Sequence, residues 1–230
     1  MKDNYGINLV LKKLDRENLD EYISKIKEHG FSFVRLDIDF NLRTDRELKK
    51  ALDYIIKKLY ENNIKILGLI TGHVHGTIAN LFAPSEKHYS SPFKSIDAYL
   101  VWLENIVRRY SQYIDIWEVW NEANMKRFWI DNVSPQDYAV FFKKSFETIK
   151  KIDSKLKVMM GSVCGNDVIT NLLIRRNGFL KAVIENIGDI ADYYGIHPYI
   201  RECYFSFRKN SKDFYLARCM NLFEDFKRFY

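Results

Sequence analysis

The feature that most limits how this chain can fold is an alternation kept up along its length. Short apolar runs take turns with longer stretches whose apolar residues recur every three or four positions. The runs expected to be strands are residues 5–11, 33–38, 64–70, 114–119, 157–161 and 192–196, and helices are expected near 17–29, 45–62, 96–110, 135–152, 179–186 and 211–229. Several caps are legible. Thr44 with Glu47 forms a capping box, Ser134 precedes Pro135 at a first helical position, and Gly30 follows the first helix.

Strand and helix in strict succession favour an α/β fold with a parallel sheet and helical crossovers. A doubly wound sheet would announce a phosphate site with a glycine-rich first loop, and "YGINLVLKKLD" has none. The (β/α)8 TIM-barrel type fits better, although it needs about 250 residues and two more β/α units. With 230 residues the expected barrel is incomplete, six units in this chain, which stops where the seventh strand would begin. No Gly/Ser/Pro-rich linker interrupts the pattern, so residues 1–230 are read as a single partial barrel domain.

Composition removes several function classes. The chain is 47% hydrophobic, yet no apolar run approaches the ~18 residues a membrane span requires, so no membrane partner is expected. The three cysteines, Cys164, Cys203 and Cys219, suggest neither a disulfide framework nor a CxxC metal site. With no basic-then-apolar leader, a cytoplasmic location is the default. A net charge of +6 raises the question of nucleic acid. The basic residues, however, sit in mixed-charge helical stretches such as "DRELKKALDYIIKKLYENN" and "FFKKSFETIKKIDSKLK", which are solvated faces, and no nucleic-acid partner is expected.

In a parallel barrel the chemistry gathers at the carboxyl ends of the strands. There the second strand offers Arg35, Asp37 and Asp39, the third runs into "TGHVHG", the fourth ends in Trp120, Asn121 and Glu122, and the sixth ends in His197, Pro198 and Tyr199. Aromatic rings, an amide, an acid and imidazoles on one rim suit a carbohydrate, whose C–H face stacks on rings while its hydroxyls need donors and acceptors. His73 and His75 form an HxH pair of the kind that begins some metal sites, but no second His pair or matching Lys follows. No metal or cofactor is therefore expected, and His73 is placed among the sugar-binding residues.

The run "EVWNEAN", followed by "FW", resembles the acid/base strand of clan A glycoside hydrolases, most closely the β-xylosidase/α-iduronidase family, family 39. That family has Pro after the Glu, where this chain has Ala123. The resemblance continues through "FVRLDI", "DYAVFFKKSFETIKKIDSKLKVMMGSV" and "ADYYGIHPY". It implies a retaining glycoside hydrolase in which Glu122 protonates the leaving oxygen and Asn121 binds the sugar 2-hydroxyl. It also implies that His197 and Tyr199 line a subsite near the nucleophile and that Arg35 is a buried organiser of the catalytic carboxylates. From the residues alone, Arg35 is equally placed to neutralise Asp37 or Glu118. Trp129 reads as a sugar platform, with a loop anchor as the alternative. Strict alternation would send Asn121 and Glu122 to opposite faces, so both reach one substrate only if the strand ends in a bulge or twist. Apolar neighbours such as Trp120 would desolvate Glu122 and disfavour its charged form, as a general acid requires.

Retention needs a second carboxyl group about 5–5.5 Å from the acid. In the resembled family it is a Glu at the end of strand seven. Glu202 and Glu224 do not match that position, and Asp39 is the remaining candidate from an early strand. The expected nucleophile is thus missing from this chain. The expectation is a glycoside hydrolase, or the N-terminal part of one, whose barrel is completed by a second chain or by self-association. The alternative is a non-catalytic carbohydrate-binding or assembly protein derived from a glycosidase.

Overall fold

The computed structural model describes residues 6–9, 18–39, 46–71, 96–114, 116–125, 128–129, 134–164 and 179–197. Strands β1 (Gly6–Leu9), β2 (Phe33–Asp39), β3 (Lys65–Thr71), β4 (Ile116–Asn121), β5 (Lys157–Cys164) and β6 (Tyr193–His197) alternate with helices α1 (Leu19–Glu28), α2 (Arg46–Glu61), α3 (Ile96–Tyr110), α4 (Pro135–Ile152) and α5 (Phe179–Ile187). A single 3₁₀ turn, Gly188–Ile190, leads from α5 into β6. The six strands form one sheet in the order β1-β2-β3-β4-β5-β6, every neighbouring pair parallel. Spatial order equal to chain order is the wall of a barrel, because a doubly wound sheet reverses direction at its switch point. The described residues, six parallel strands with five helices between them, are the wall of a partial TIM-like barrel.

The elements follow from the sequence pattern. Leu52, Ile55, Ile56 and Leu59 fall on one stripe of α2 and are buried, while the lysines between them stay at the surface. On β2, buried Val34, Leu36 and Ile38 alternate with the more exposed Phe33, Arg35, Asp37 and Asp39. The first set joins a continuous apolar cluster with α1, α2 and the neighbouring strands. The second set carries the polar residues to the other face. Gly68 on β3 leaves room on the packed side for the indole of Trp117, since a Cβ there would lie 3.2 Å from Trp117, Ile38 and Ile114 atoms.

The Ser134 cap forms, its Oγ accepting from the Asp137 N–H at 3.2 Å. Gly30 adopts φ +73°, the left-handed conformation that ends α1. Thr44 and the helix expected at 211–229 lie outside the described residues. Strand ends differ from expectation in one direction: β2 to β6 run on to Asp39, Thr71, Asn121, Cys164 and His197, each one to three residues beyond the expected end. The ladder continues because the main chains of these residues still find partners on the neighbouring strands. No helix among the described residues is long and apolar enough to cross a membrane.

Candidate active site

The carboxyl end of β4 departs from regular strand geometry. Trp120 has φ 73° and Glu122 φ 46°, both left-handed, at about 1–2 kcal/mol per residue for a side chain with a Cβ. The result is visible in side-chain contacts. Arg35 donates to both Glu118 and Asn121, three positions apart, which strict alternation would put on opposite faces. The turn at Trp120 sends its ring to the helix side, against Phe141 of α4 at 5.7 Å between centroids, and returns Asn121 to the face that holds Glu118. Glu122 follows on the same rim.

Other groups replace the ladder bonds this turn breaks. β4 and β5 pair as Val119↔Met160 and resume at Asn121↔Ser162. At the gap, the Tyr138 hydroxyl donates to the Val119 carbonyl at 2.9 Å and accepts from the Gly161 N–H at 2.8 Å. Burial pushes the Tyr138 phenol well above the ordinary tyrosine range, against the smaller opposing effect of the Gly161 N–H, so it stays a neutral donor. Position 161 must be glycine, because a Cβ would meet the Val119 and Trp120 carbonyl oxygens at 2.4 Å. Beyond the gap, Glu122 N donates to Ser162 O at 2.7 Å. Asn124 clamps the end of β5 in both directions, donating to Cys164 O and accepting from Cys164 N, each at 2.9 Å.

Glu118 is fully buried and fully engaged. Its carboxylate accepts from Arg35 Nε at 2.6 Å and Nη2 at 2.9 Å, and from Ser162 Oγ at 2.7 Å and Ser162 N at 3.0 Å. Of the two acids weighed as partners for Arg35, Glu118 makes the forked pair. The guanidinium does more than neutralise it, since Nη2 also donates to Asn121 Oδ1 at 2.9 Å. A guanidinium only donates, which fixes the oxygen of the amide toward Arg35 and leaves Nδ2–H for another acceptor.

Glu122, 4% exposed, meets His197 of β6 through a 2.6 Å contact between Oε1 and Nδ1. A single proton lies between them, given by imidazole to carboxylate or by carboxyl to imidazole. Arg35, Asn121, Glu122 and His197 therefore meet at one end of the sheet, joined through Glu118 and Ser162. His73 and Tyr199 lie outside the described residues, as do Glu202 and Glu224. Asp39 ends β2, level with Thr71 of β3. Among the described residues, no group of three or more His, Cys, Asp or Glu is arranged to hold a metal ion.

Trp129 corrects the platform reading. Its ring is 2% exposed and edge-on to Trp120 at 5.6 Å, Phe141 at 5.6 Å and Tyr138 at 6.0 Å. A ring enclosed by three others has no open face for a sugar, and it anchors the β4–α4 loop to α4 instead. Trp120 Nε1 donates to Phe128 O at 3.0 Å and fixes the same loop. Sequence reasoning missed Ser162, Tyr138, Gly161 and Asn124. All four act through partners on other elements, far away in the chain, which leave no spacing signal.

The family model for glycosyl hydrolases family 39 matches residues 10–229. The chain belongs to glycosyl hydrolase family 39. Solved structures of glycosidases share its fold. A β-galactosidase from the psychrophilic Marinomonas ef1 superposes with a TM-score of 0.60 at 11% identity, over 86% of this chain and 41% of that one. A monomeric β-xylosidase from Caulobacter crescentus CB15 gives 0.55 at 19% identity, over 85% and 42%. A further glycoside hydrolase gives 0.53 at 14% identity, over 96% and 75%. The family 39 chain thus spans three quarters of the length of the last and about two fifths of the other two. No match was found among curated protein sequences.

Proposed function

We propose that this family 39 chain carries the acid/base half of a retaining glycoside hydrolase acting on a carbohydrate substrate. The observation that carries the reading is the left-handed turn at Trp120 and Glu122, which brings two consecutive residues, an amide held by Arg35 and a carboxyl held by His197, to one rim. Glu122 gives its proton to the departing glycosidic oxygen, then takes one from the water that completes hydrolysis. His197 touches Oε1, so it orients the carboxyl and leaves Oε2 to face the substrate. The Nδ2–H of Asn121 donates to the sugar 2-hydroxyl, a contact that strengthens as charge develops at the anomeric carbon. His73 and Tyr199 complete the sugar-binding set. The second carboxylate comes from a second chain that completes the barrel, or from this chain itself, where Asp39 at the end of β2 is the candidate among the described residues.

The test is hydrolysis of p-nitrophenyl and methyl glycosides by the purified chain and by Glu122→Gln. Loss of the general acid should lower kcat/KM for the methyl glycosides by about 10²–10⁴-fold. It should act less on aryl glycosides, whose leaving group departs without a proton. Equal turnover by both proteins would overturn the assignment. Turnover that appears only when a chain carrying the remaining barrel units is added would place the nucleophile there. Sugar binding without turnover in any mixture would make the protein a carbohydrate-binding or assembly protein.

A further inference from the structure

The amide of Asn121 is aimed by contacts that begin on the neighbouring strand. Its Oδ1 accepts from Arg35, Arg35 is gripped by Glu118, and Glu118 Oε1 is gripped in turn by the hydroxyl and the N–H of Ser162. The carbonyl of the same Ser162 accepts the N–H of Glu122. We infer that Ser162 is a positioning residue for the sugar site: its side chain fixes the Asn121 amide through Glu118 and Arg35, while its carbonyl fixes the backbone of Glu122. The spacing of the two substrate-facing groups is then set from β5. The inference rests on the reading of Asn121 and Glu122 as the substrate-facing pair.

Two features show that this hydroxyl is built into the fold. Ser162 belongs to a bulge, since Met160 pairs with Tyr194 and Val163 with Ile196, so Gly161 and Ser162 together oppose Gly195. The extra residue turns the hydroxyl toward Glu118. Gly195 in turn leaves it room, because a Cβ there would stand 2.3 Å from Ser162 Oγ. A hydroxyl donating to a buried carboxylate is a charge-assisted bond, stronger than one between neutral groups. Removing it leaves Glu118 paired with Arg35 and with the Ser162 N–H. The fold should survive while the carboxylate gains freedom to rotate, and Arg35 and Asn121 with it.

The experiment compares wild type, Ser162→Ala, Ser162→Cys, Glu118→Gln and the double variant Ser162→Ala/Glu118→Gln by NMR of the ¹⁵N-labelled chain, with no sugar present. Ser162→Ala should shift or broaden the Arg35 Nε–H and Asn121 Nδ2–H₂ signals and leave backbone signals of β2 and β3 in place. Ser162→Cys, with a weaker donor, should fall between. In the Glu118→Gln background the alanine substitution should add nothing, because both act through one carboxylate. Unmoved side-chain signals, or additive changes in the double variant, would overturn the inference. A second readout is kcat/KM for p-nitrophenyl β-xyloside and its 2-deoxy analogue, where Ser162→Ala should lower the first about tenfold and leave the second unchanged. Equal losses on both sugars would make Ser162 merely structural. A chain that turns over neither substrate would defeat the proposed activity, and the NMR result would still decide the positioning role.

Discussion

The β2–β3 seam and the β4–β5 seam are built from the same kind of parallel strand, yet they are held together differently. β2 and β3 pair without interruption over seven residues, from Phe33↔Lys65 to Asp39↔Thr71, and aliphatic side chains cover their packed face. β4 and β5 pair without a break only to Val119↔Met160; the ladder resumes at Asn121↔Ser162, and side chains of Tyr138 and Asn124 close main-chain bonds at the gap and at the end of β5. The first seam is a wall that any well-alternating sequence would make. The second gives up regularity to bring Glu118, Asn121 and Glu122 to one rim, and each departure has a named residue that offsets it. Local rules are broken where the candidate chemistry sits, as functional sites tend to do.

The largest effect should come from Glu118. Glu118→Ala would leave the Arg35 guanidinium partly buried beside lost acceptors, and removing one partner of a buried pair costs about 3–5 kcal/mol. The matching change in the wall, Ile38→Val, removes one methylene from a fully buried side chain and should cost about 0.5–1.5 kcal/mol. Urea unfolding of the two variants measures the contrast. If Glu118→Ala cost no more than Ile38→Val, the polar network would be an ornament on a seam held by packing.

Next in size is a pair of glycines that separates crowding from conformation. Gly161→Ala drives a Cβ into two carbonyl oxygens at 2.4 Å, main-chain atoms that can yield only by opening the seam. About 1–3 kcal/mol is expected, with a change in the environment of Tyr138. Gly30→Ala meets nothing within 4 Å and costs only the left-handed conformation at φ +73°, about 1 kcal/mol. Equal costs, with Tyr138 fluorescence undisturbed, would mean that the seam is not tightly closed at position 161.

The same contrast explains what could be read in advance. β2, α3 and α4 were legible almost to the residue, because alternation and helical spacing report burial and burial is what makes those elements. Glu122, Asn121 and His197 were legible as a rim because the residues that follow the apolar runs must lie at the strand ends. The turn was legible only as a requirement: two adjacent residues had to share a face, and nothing in "EVWNEAN" said that Trp120 and Glu122 would supply the left-handed geometry. β5 ran past its expected end at Gly161 for a related reason. Ser162 to Cys164 are kept in the strand by Glu118, Glu122 and Asn124, partners about forty residues earlier in the chain. Trp129 misled because a tryptophan a few residues after a strand end has the same spelling whether its ring faces a sugar or the core.

The smallest effect compares the two ends of one strand pair. At the end of β5 and β6 opposite the candidate site, Asp192 accepts from Val158 N, Lys157 Nζ and Lys150 Nζ, each at 2.9 Å. Burial works to raise its carboxyl, but the Val158 N–H and the two lysines outweigh that and hold it below the usual carboxylate range. Because the folded state favours the charged form, Asp192 adds stability above the unfolded-state value of about 3.9, and that stability is lost as the pH falls through the lower folded value. Asp192→Asn should therefore lower stability at pH 7, with the gap to wild type closing below about pH 4. Asp53 is also held low, by Arg109 and Tyr110 against its own burial, but it titrates alike in both proteins and cancels in the difference. Unfolding free energies measured from pH 7 down to pH 3 decide the matter. A gap that stayed constant across that range would mean that Asp192 acts through its shape and its main-chain bond alone, and that this end of the seam, like the β2–β3 wall, does without charge.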